Sequence, residues 1–319
     1  MVNLDNKDKT IFELPSRIAD IIAEYQTHGA VTIITNHEGI CLHTAGFYNQ
    51  LDYICNLFKF NKENIEIITC NAEESHPEYK ITINGNHWIN NCKIHFSNPI
   101  QKNNNLKHVG CFLGRANWHR LVIAAWLHNN PKALLTCHYD TTNAGHQLNS
   151  GLTEINFYAP DELVSVAEFL PNCPIVLDEG YINPTIGPDK HYIIIKQYSN
   201  IFLDLVNETY ILGRSFFPTE KTLRPIIAKT PFITMGPTGH LGNLKRMGLR
   251  TFDQWWDESY DMYNNYERLK RIKVIVEDIF TWSDDRINNT LNEMSEVLEH
   301  NYNTLRDMHP TAVKLSSST

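Results

Sequence analysis

The stretch that decides the fold runs from Tyr198 to Met235 and reads YSNIFLDLVNETYILGRSFFPTEKTLRPIIAKTPFITM. The β-branched and apolar run at Ile201–Val206 predicts a buried strand, and Phe232–Met235 predicts another. Between them, an acidic turn is followed by a predicted helix near Thr219–Lys229. Strands that alternate with helices in this way are typical of a parallel sheet covered on both faces.

The start of that helix carries residues suited to a nucleotide. Thr219 is a suitable cap for the first turn, and the free N–H groups and partial positive charge of a helix N-terminus suit phosphate. Lys221 would add a full positive charge beside a diphosphate, and Glu220 would accept hydrogen bonds from ribose hydroxyls. The same residues also fit a capped surface helix with a solvated Glu–Lys pair. Pro225 predicts that the helix starts later or bends.

The first third of the chain shows the same alternation of strands and helices. Its predicted elements are a strand at Ala30–Thr35, a helix at Phe47–Phe60, and strands at Ile65–Cys70 and Tyr79–Ile83. The polar stretch QKNNNLK, Gln101–Lys107, is the best candidate for a linker. We therefore predict an N-terminal α/β domain at residues 1–105 and a C-terminal α/β domain with a helical tail at residues 106–319.

The second predicted domain continues the α/β pattern and ends in helices. Its further predicted elements are helices at His119–Asn129 and Asp161–Leu170, strands at Ala133–His138 and Ile175–Leu177, and helical segments at Tyr260–Trp282 and Asp285–Met308. Two such domains usually hold a ligand in the cleft between them, at the carboxyl ends of the strands.

Composition excludes several classes of protein. The 28 basic and 36 acidic residues leave a net charge of −8, which argues against a protein whose main task is to bind a nucleic-acid backbone. No apolar run reaches the roughly 18 residues of a membrane span, and the polar N-terminus lacks the apolar core of a signal peptide. The seven cysteines include no CxxC pair, and the histidines form no metal-binding pattern. We expect a cytoplasmic protein with reduced thiols and no bound metal.

The order of motifs in Tyr198–Pro231 resembles the donor-binding motif of α-1,3-fucosyltransferases. That family has a hydrophobic strand ending in Phe-Glu-Asn, a short loop, Tyr-x-Thr-Glu-Lys, a helix, and a strand that begins near Ile-Pro. In this chain Glu208 follows the strand, Thr219–Lys221 supplies the Thr-Glu-Lys, and PFITMG at Pro231–Gly236 matches the second strand.

A second run extends the resemblance. LKRMGLRTFDQWWDESYD, Leu244–Asp261, is similar to glycosyltransferases encoded by phages and bacteria. Together the matches cover roughly residues 110–275. Thr209 and Phe217 stand where the fucosyltransferases have Asn and Tyr, so the resemblance does not specify fucose as the sugar.

The resemblance implies an α/β fold of the GT-B-like type, with two Rossmann-like domains facing a central cleft and a helical C-terminal segment. It implies a nucleoside-diphosphate-sugar co-substrate bound mainly by the C-terminal domain, residues 106–319, with the acceptor on the side of the N-terminal domain, residues 1–105. It also implies no cofactor and no metal. Glu220 would bind the donor's ribose, Lys221 and Arg120 its diphosphate, and Arg115 is a neighbouring candidate. Arg120 also fits a surface arginine on an amphipathic helix. The other matched positions assigned to donor binding are Glu208, Phe217 and Thr219.

An inverting transfer needs a carboxylate that deprotonates the acceptor hydroxyl. In the resembled family this is a Glu that follows a strand of the N-terminal domain. Glu73 or Glu74, in TCNAEESHPEY, follows one predicted strand, and Glu38, in TNHEG, follows another. We take Glu73 as the first candidate for the catalytic base and Glu38 as the second, although either also fits an ordinary loop acid.

The sequence thus predicts a metal-independent glycosyltransferase that acts on a glycan or another hydroxyl acceptor. One alternative is a nucleotide-sugar-binding protein without turnover. Another is a DNA-modifying glycosyltransferase that acts on a hydroxymethylated base. Its DNA surface would use the basic residues of the C-terminal third, which equally fit a solvated helix face: Lys245, Arg246, Arg250, Arg268, Lys270, Arg271 and Lys273.

Overall fold

The computed structural model describes residues 1–4, 14–35, 39–84, 100–137, 145–176 and 191–308. These residues form two four-stranded sheets in which all strand pairs are parallel. The predicted α/β class is therefore confirmed, and the arrangement is compatible with two Rossmann-like units. The predicted domain boundary after residue 105 falls between the last strand of the first sheet and the first strand of the second.

The first sheet has its strands in chain order. They are Val2–Asn3 (β1), Val31–Thr35 (β2), Ile65–Thr69 (β3) and Lys80–Ile83 (β4). Buried and half-buried residues alternate along β2 and β3, and Ile33 of β2 pairs with Ile67 of β3, both fully buried. Two helices, Leu14–His28 (α1) and Phe47–Phe58 (α2), add Ile21 and Leu51 to the same core. Burying each of these side chains stabilises the fold by about 1.5–3 kcal/mol.

The second sheet has a reversal in its strand order. Across the sheet the strands are Ala133–Cys137 (β6), Lys107–Leu113 (β5), Ile201–Asn207 (β7) and Phe232–Met235 (β8). All seven residues of β7 are buried, as expected for a strand covered on both faces. The chain adds β6 on one side of β5 and then β7 on the other. Ligands of parallel sheets bind outside the carboxyl ends of the strands at such a reversal.

Helices surround this second sheet and continue to the C-terminal end of the described chain. They are Trp118–Leu127 (α3), Gly145–Tyr158 (α4), Leu163–Phe169 (α5), His191–Gln197 (α6), Glu220–Ile227 (α7), His240–Arg246 (α8), Asn265–Thr281 (α9), Asp284–Glu293 (α10) and Ser295–Met308 (α11). Helix α9 packs on β5 and β8, which closes the core on one face of the sheet. Pro225 lies inside α7, which starts at Glu220 and ends two residues after the proline. The expected later start is therefore wrong.

The predicted linker differs from the observed segment. Lys107 belongs to β5, a strand that the sequence pattern missed because Lys and His open it and Gly110 interrupts its apolar run. Lys102 is bound to the second unit, where Nζ donates to the carbonyls of Tyr198 and Ile201 at 2.8 Å each. The polar stretch is thus anchored by its lysine rather than free in solvent.

Three other predicted elements change their bounds. The helical segment Asp285–Met308 is two helices, α10 and α11, that meet at Met294. The segment Tyr260–Trp282 begins its regular helix only at Asn265, after a short 3-10 turn. Ile175–Leu177 is reduced to an isolated bridge between Ile175 and Cys137, and Leu177 lies outside the described residues.

Candidate functional site

The candidate site lies at the carboxyl ends of β5 and β7, where the strand order reverses. Strand β5 ends at Leu113 and is followed by the exposed Arg115. Strand β7 ends at Asn207 and is followed by Glu208 and Thr209, both buried. Arg115 forms no ion pair with a residue of the described ranges.

Glu208 forms hydrogen bonds with the first turn of α7. Its carboxylate accepts hydrogen bonds from Thr219 N at 3.1 Å, Thr219 Oγ1 at 2.6 Å and Thr222 Oγ1 at 2.6 Å. The residue is only 2% exposed. A carboxylate at a helix N-terminus satisfies free N–H groups and interacts favourably with the helix dipole. Glu208 and Thr219 therefore position the first turn of α7, and neither is directed toward solvent.

Lys221 and Glu220 form the outer layer of the same turn. Lys221 Nζ lies 2.9 Å from Glu220 Oε1, 3.0 Å from Thr219 Oγ1 and 3.3 Å from Thr209 Oγ1. Their side chains are 15% and 20% exposed. A cation and a carboxylate thus lie side by side just beyond the end of β7, and both side chains are partly exposed.

Side chains at the N-terminus of helix α3 form hydrogen bonds with the end of β7. Asn117 Nδ2 donates to the Thr209 carbonyl at 3.3 Å, His119 Nε2 lies 3.2 Å from the Glu208 carbonyl, and Arg120 donates to the Asn207 carbonyl at 3.1 Å. Three consecutive carbonyls, that of the last residue of β7 and those of the two residues after it, thus have hydrogen-bond donors. Arg120, predicted to bind the donor's diphosphate, is only 3% exposed and its guanidinium lies against the end of β7, whereas Arg115 is exposed to solvent.

His119 is neutral in this environment. Burial, followed by the nearby charges of Arg120 and Lys221, lowers the pKa of His119 well below its usual value. Because a carbonyl can only accept, Nε2 carries the proton that is shared with Glu208 O.

Two further buried side chains stiffen this region. His240 Nε2 lies 3.4 Å from Thr222 Oγ1, and burial lowers the pKa of His240. Arg268 is fully buried and donates to Thr238 Oγ1 at 2.6 Å and to the carbonyls of Gly236 and Tyr263. Burial also lowers the pKa of Arg268 to about 10, which still leaves it charged at neutral pH.

Asn71, which follows β3, joins the first unit to the loop between β7 and α7. Its Oδ1 accepts from Phe216 N at 2.8 Å and from Glu73 N at 3.1 Å. Its Nδ2 donates to Glu74 Oε2 at 2.9 Å and to the Arg214 carbonyl at 3.2 Å. The Asn71 amide therefore has a partner for each of its two N–H groups and two partners for its oxygen, and two of the four hydrogen bonds, to Phe216 and Arg214, cross between the two units.

The same loop contacts the residues that follow β2. Gly39 has φ +67°, and a Cβ built there would lie 2.0 Å from Phe217 Cβ. Ser215 Oγ donates to the Gly39 carbonyl. Phe217 is half-buried at this contact. The carboxyl ends of the two sheets are thus brought to opposite sides of the loop that precedes Thr219.

The two candidates for the base have different outcomes. Glu73 Oε1 forms an ion pair of 2.5 Å with Arg246, which crosses between the two units. Glu38 lies outside the described residues. Glu74, the neighbour of Glu73, is buried and accepts from Leu42 N at 3.0 Å and from Tyr48 Oη at 3.1 Å. The role of Glu73 as a base stays a prediction.

The seven basic residues proposed for a DNA surface all interact with other residues of the chain. Six of them pair with acidic residues and the seventh, Arg268, is buried as described above. The pairs are Lys245–Asp253, Arg246–Glu73, Arg250–Glu296, Lys270–Glu267, Arg271–Glu267 and Lys273–Glu162. Their charges are locally balanced, which is typical of a solvated surface.

Comparisons with protein families, with curated proteins and with solved structures found no match. In the part of the chain that the structure describes, no helix has both the length and the apolar character needed to cross a bilayer. Within the same ranges, no three His, Cys, Asp or Glu side chains converge in a way that would hold a metal ion. The six cysteines of the described ranges are free thiols.

Several residues that build the site were not found by sequence reasoning. Asn71 and His119 act through contacts with distant carbonyls and amides, and neither belongs to a recognisable motif. The only local signal for Asn71 was its place directly after a predicted strand, where polar residues of a parallel sheet often serve a site. His119 gave no local signal beyond its position near the start of a helix.

Proposed function

We propose that this chain is a glycosyltransferase of the GT-B type, which moves a sugar from a nucleoside-diphosphate donor to a hydroxyl acceptor with inversion. The observation that carries the proposal is the position of Lys221 and Glu220 at the first turn of α7, next to the carboxyl ends of β5 and β7, where the strand order of the second sheet reverses. The approach of the two sheets' carboxyl ends across the loop before Thr219 supports a donor held between two units.

The proposed chemistry assigns a role to each charged residue near the first turn of α7. As the bond between the sugar's C1 and the diphosphate breaks, its electron pair goes to the leaving oxygen. Lys221 and Arg115 would balance that charge, in a transfer that needs no metal. Glu220 would accept from the ribose hydroxyls. Arg120 and Glu208, both buried, would keep the end of β7 and the start of α7 in place.

The proposed acceptor is a hydroxyl group of a glycan or of another molecule. Because six of the seven basic residues proposed for a DNA surface are paired with acids and the seventh is buried, nothing in their arrangement supports a DNA acceptor. A protein that binds the donor without turnover differs from an enzyme in one measurable respect, which is the release of nucleoside diphosphate when acceptors are added.

A thermal-shift panel of GDP-, UDP- and CDP-sugars, recorded in EDTA, tests the proposal. A donor at about 100 times its Kd should stabilise the fold by about 2.7 kcal/mol. Lys221→Ala should lose this stabilisation because the diphosphate loses its cation. Lys270→Ala, which removes an exposed lysine of α9, is the matched control and should keep it.

Two results would contradict the proposal at different levels. If no nucleotide sugar stabilises the wild-type protein, a donor site is absent. If Lys221→Ala shifts as much as the wild type, a donor site exists but Lys221 is not part of it.

A further inference from the structure

A cluster of ring side chains in the first unit has no part in donor binding. It lies where the residues after β2 and β3 meet the start of α2. His43 packs on Tyr48 with ring centroids 4.6 Å apart, and His76 stacks on Tyr48 at 4.3 Å and lies 5.7 Å from His43. Burial and the adjacent Glu74 raise the pKa of the Tyr48 phenol. The cluster therefore brings an imidazole to a buried carboxylate.

Glu74 is held in one orientation by three donors. Its Oε2 accepts from Leu42 N at 3.0 Å and from Asn71 Nδ2 at 2.9 Å, while Oε1 accepts from Tyr48 Oη at 3.1 Å. Oε1 also lies 3.6 Å from His43 Nε2. The side chain of Glu74 is 1% exposed, whereas that of His43 is 53% exposed. The carboxylate thus stands behind a histidine that faces solvent.

The hydrogen bond of His43 decides which ring nitrogen is basic. Nε2 lies 2.9 Å from the Ser75 carbonyl, which can only accept, so Nε2 carries the proton of the neutral ring. Nδ1 then holds the lone pair, and no hydrogen bond to it is found among the described residues. A neutral imidazole with one nitrogen fixed by a carbonyl and a carboxylate, and the other available, is arranged to take up a proton.

Residues on either side of His43 in the chain contact the second unit. A Cβ built at Gly213 would lie 2.6 Å from Thr44 Cγ2 and 2.8 Å from Cys41 Sγ. The segment that carries His43 is therefore in contact with the loop that runs from the end of β7 to Lys221. His43 and Lys221 lie on segments joined through this one loop.

We propose that His43 is the catalytic base of the transfer and that Glu74 is its positioning residue. This inference rests on the proposed function and names the group that activates the acceptor. The acceptor oxygen forms the new bond to C1, its proton passes to His43 Nδ1, and the bond to the diphosphate breaks with its electron pair on the leaving group. The carboxylate of Glu74 then stabilises the imidazolium.

Glu73 is less suited to this role in the observed arrangement. Its Oε1 is already engaged with Arg246, and its backbone N–H is bound to Asn71. An acceptor that reached Glu73 would have to open an ion pair between the two units, whereas His43 Nδ1 needs no such rearrangement.

The test uses the full chain with the nucleoside-diphosphate sugar that binds best in the panel above. Release of nucleoside diphosphate is measured with a panel of sugar acceptors and with water as the acceptor. His43→Ala and His43→Gln should lower kcat by about 10²–10⁴-fold, as is usual for loss of a general base. The Kd for the donor should stay within about twofold of the wild type, because none of the proposed donor contacts of Lys221, Glu220 and Arg115 is touched.

Imidazole in the buffer separates a chemical role from a structural one. It should restore part of the kcat of His43→Ala, where a cavity is left, and should not affect the wild type. His28→Ala removes an exposed histidine at the end of α1 and should keep full activity. Glu74→Gln should lower kcat without loss of donor binding and without rescue by imidazole.

The outcomes distinguish this inference from the proposed function. If the wild type turns over and His43→Ala keeps more than about a third of its kcat, the assignment of His43 is overturned while the transferase proposal stands. If His43→Ala is inactive but imidazole restores nothing and Glu73→Gln is equally inactive, the assignment is likewise overturned. A wild type that binds no donor overturns both.

Discussion

Replacement of Asn71 by alanine should be the most informative change to stability in this chain. Asn71 is fully buried and makes four hydrogen bonds, two of them to groups in the loop that precedes α7. Alanine leaves Phe216 N and Glu74 Oε2 without this partner in buried surroundings, and two more groups in half-buried ones. Each buried group left unsatisfied costs about 1–3 kcal/mol and each lost exchangeable bond about 0.5–1.5 kcal/mol.

We therefore expect Asn71→Ala to lower the free energy of unfolding by about 3–5 kcal/mol, allowing for water that enters the space. That is a large share of the roughly 5–15 kcal/mol of a typical domain. Asn71→Asp should be at least as destabilising, because a carboxylate oxygen would face Glu74 Oε2 and the Arg214 carbonyl where the amide now donates.

Urea unfolding followed by tryptophan fluorescence and circular dichroism measures this effect. Asn103→Ala, which removes an exposed asparagine bonded to Asn200, is the matched control and should change the free energy of unfolding by less than about 1 kcal/mol. Donor binding by the second unit should survive Asn71→Ala, while transfer should fall because the two units are no longer docked. A loss of stability below about 1 kcal/mol would refute the reasoning that Asn71 holds the two units together.

Two further predictions concern the backbone and the pH. Gly39→Ala should lower the free energy of unfolding in urea clearly more than Gly29→Ala. Both glycines have positive φ, but only a Cβ at position 39 meets Phe217. Equal losses of stability in the two variants would contradict the close contact. Burial lowers the pKa of Lys102 from 10.5 to about 7, so between these values the unfolded chain binds the additional proton. The free energy of unfolding should accordingly rise with pH above about 7, and this rise should be smaller in Lys102→Met. If the free energy of unfolding changes equally in both proteins between pH 7 and pH 9.5, the prediction is contradicted.

Elements with strong local patterns were predicted well. Phe232–Met235 and the strands at β2, β3 and β7 appear within a residue or two of their predicted bounds, because β-branched runs of this length have few alternatives to a buried strand. The cap at Thr219 was also readable from its side chain and its place before Glu220 and Lys221. The strand β5 was missed because a glycine and two polar residues weaken its pattern.

The candidate site was only partly readable from the same signals. The motif indicated Lys221 and Glu220, whose side chains are partly exposed in the structure, at 15% and 20%. It also pointed to Arg120 and Glu208, which the structure buries against Asn207 O and the start of α7. Exposure depends on which neighbours cover a side chain, and a motif carries no information about neighbours that are distant in the chain.

The amino-acid sequence by itself determined the α/β class, the positions of most strands and the helix that Thr219 opens, because these depend on residues within one or two turns of each other. Only the tertiary structure decided which charged side chains are exposed and which residues join the two units. Asn71 reaches the carbonyl of a residue 143 positions away, and Glu73 pairs with Arg246 across 173 positions. Such contacts form only when separate cores have folded and their surfaces meet, so no local pattern along the chain announces them.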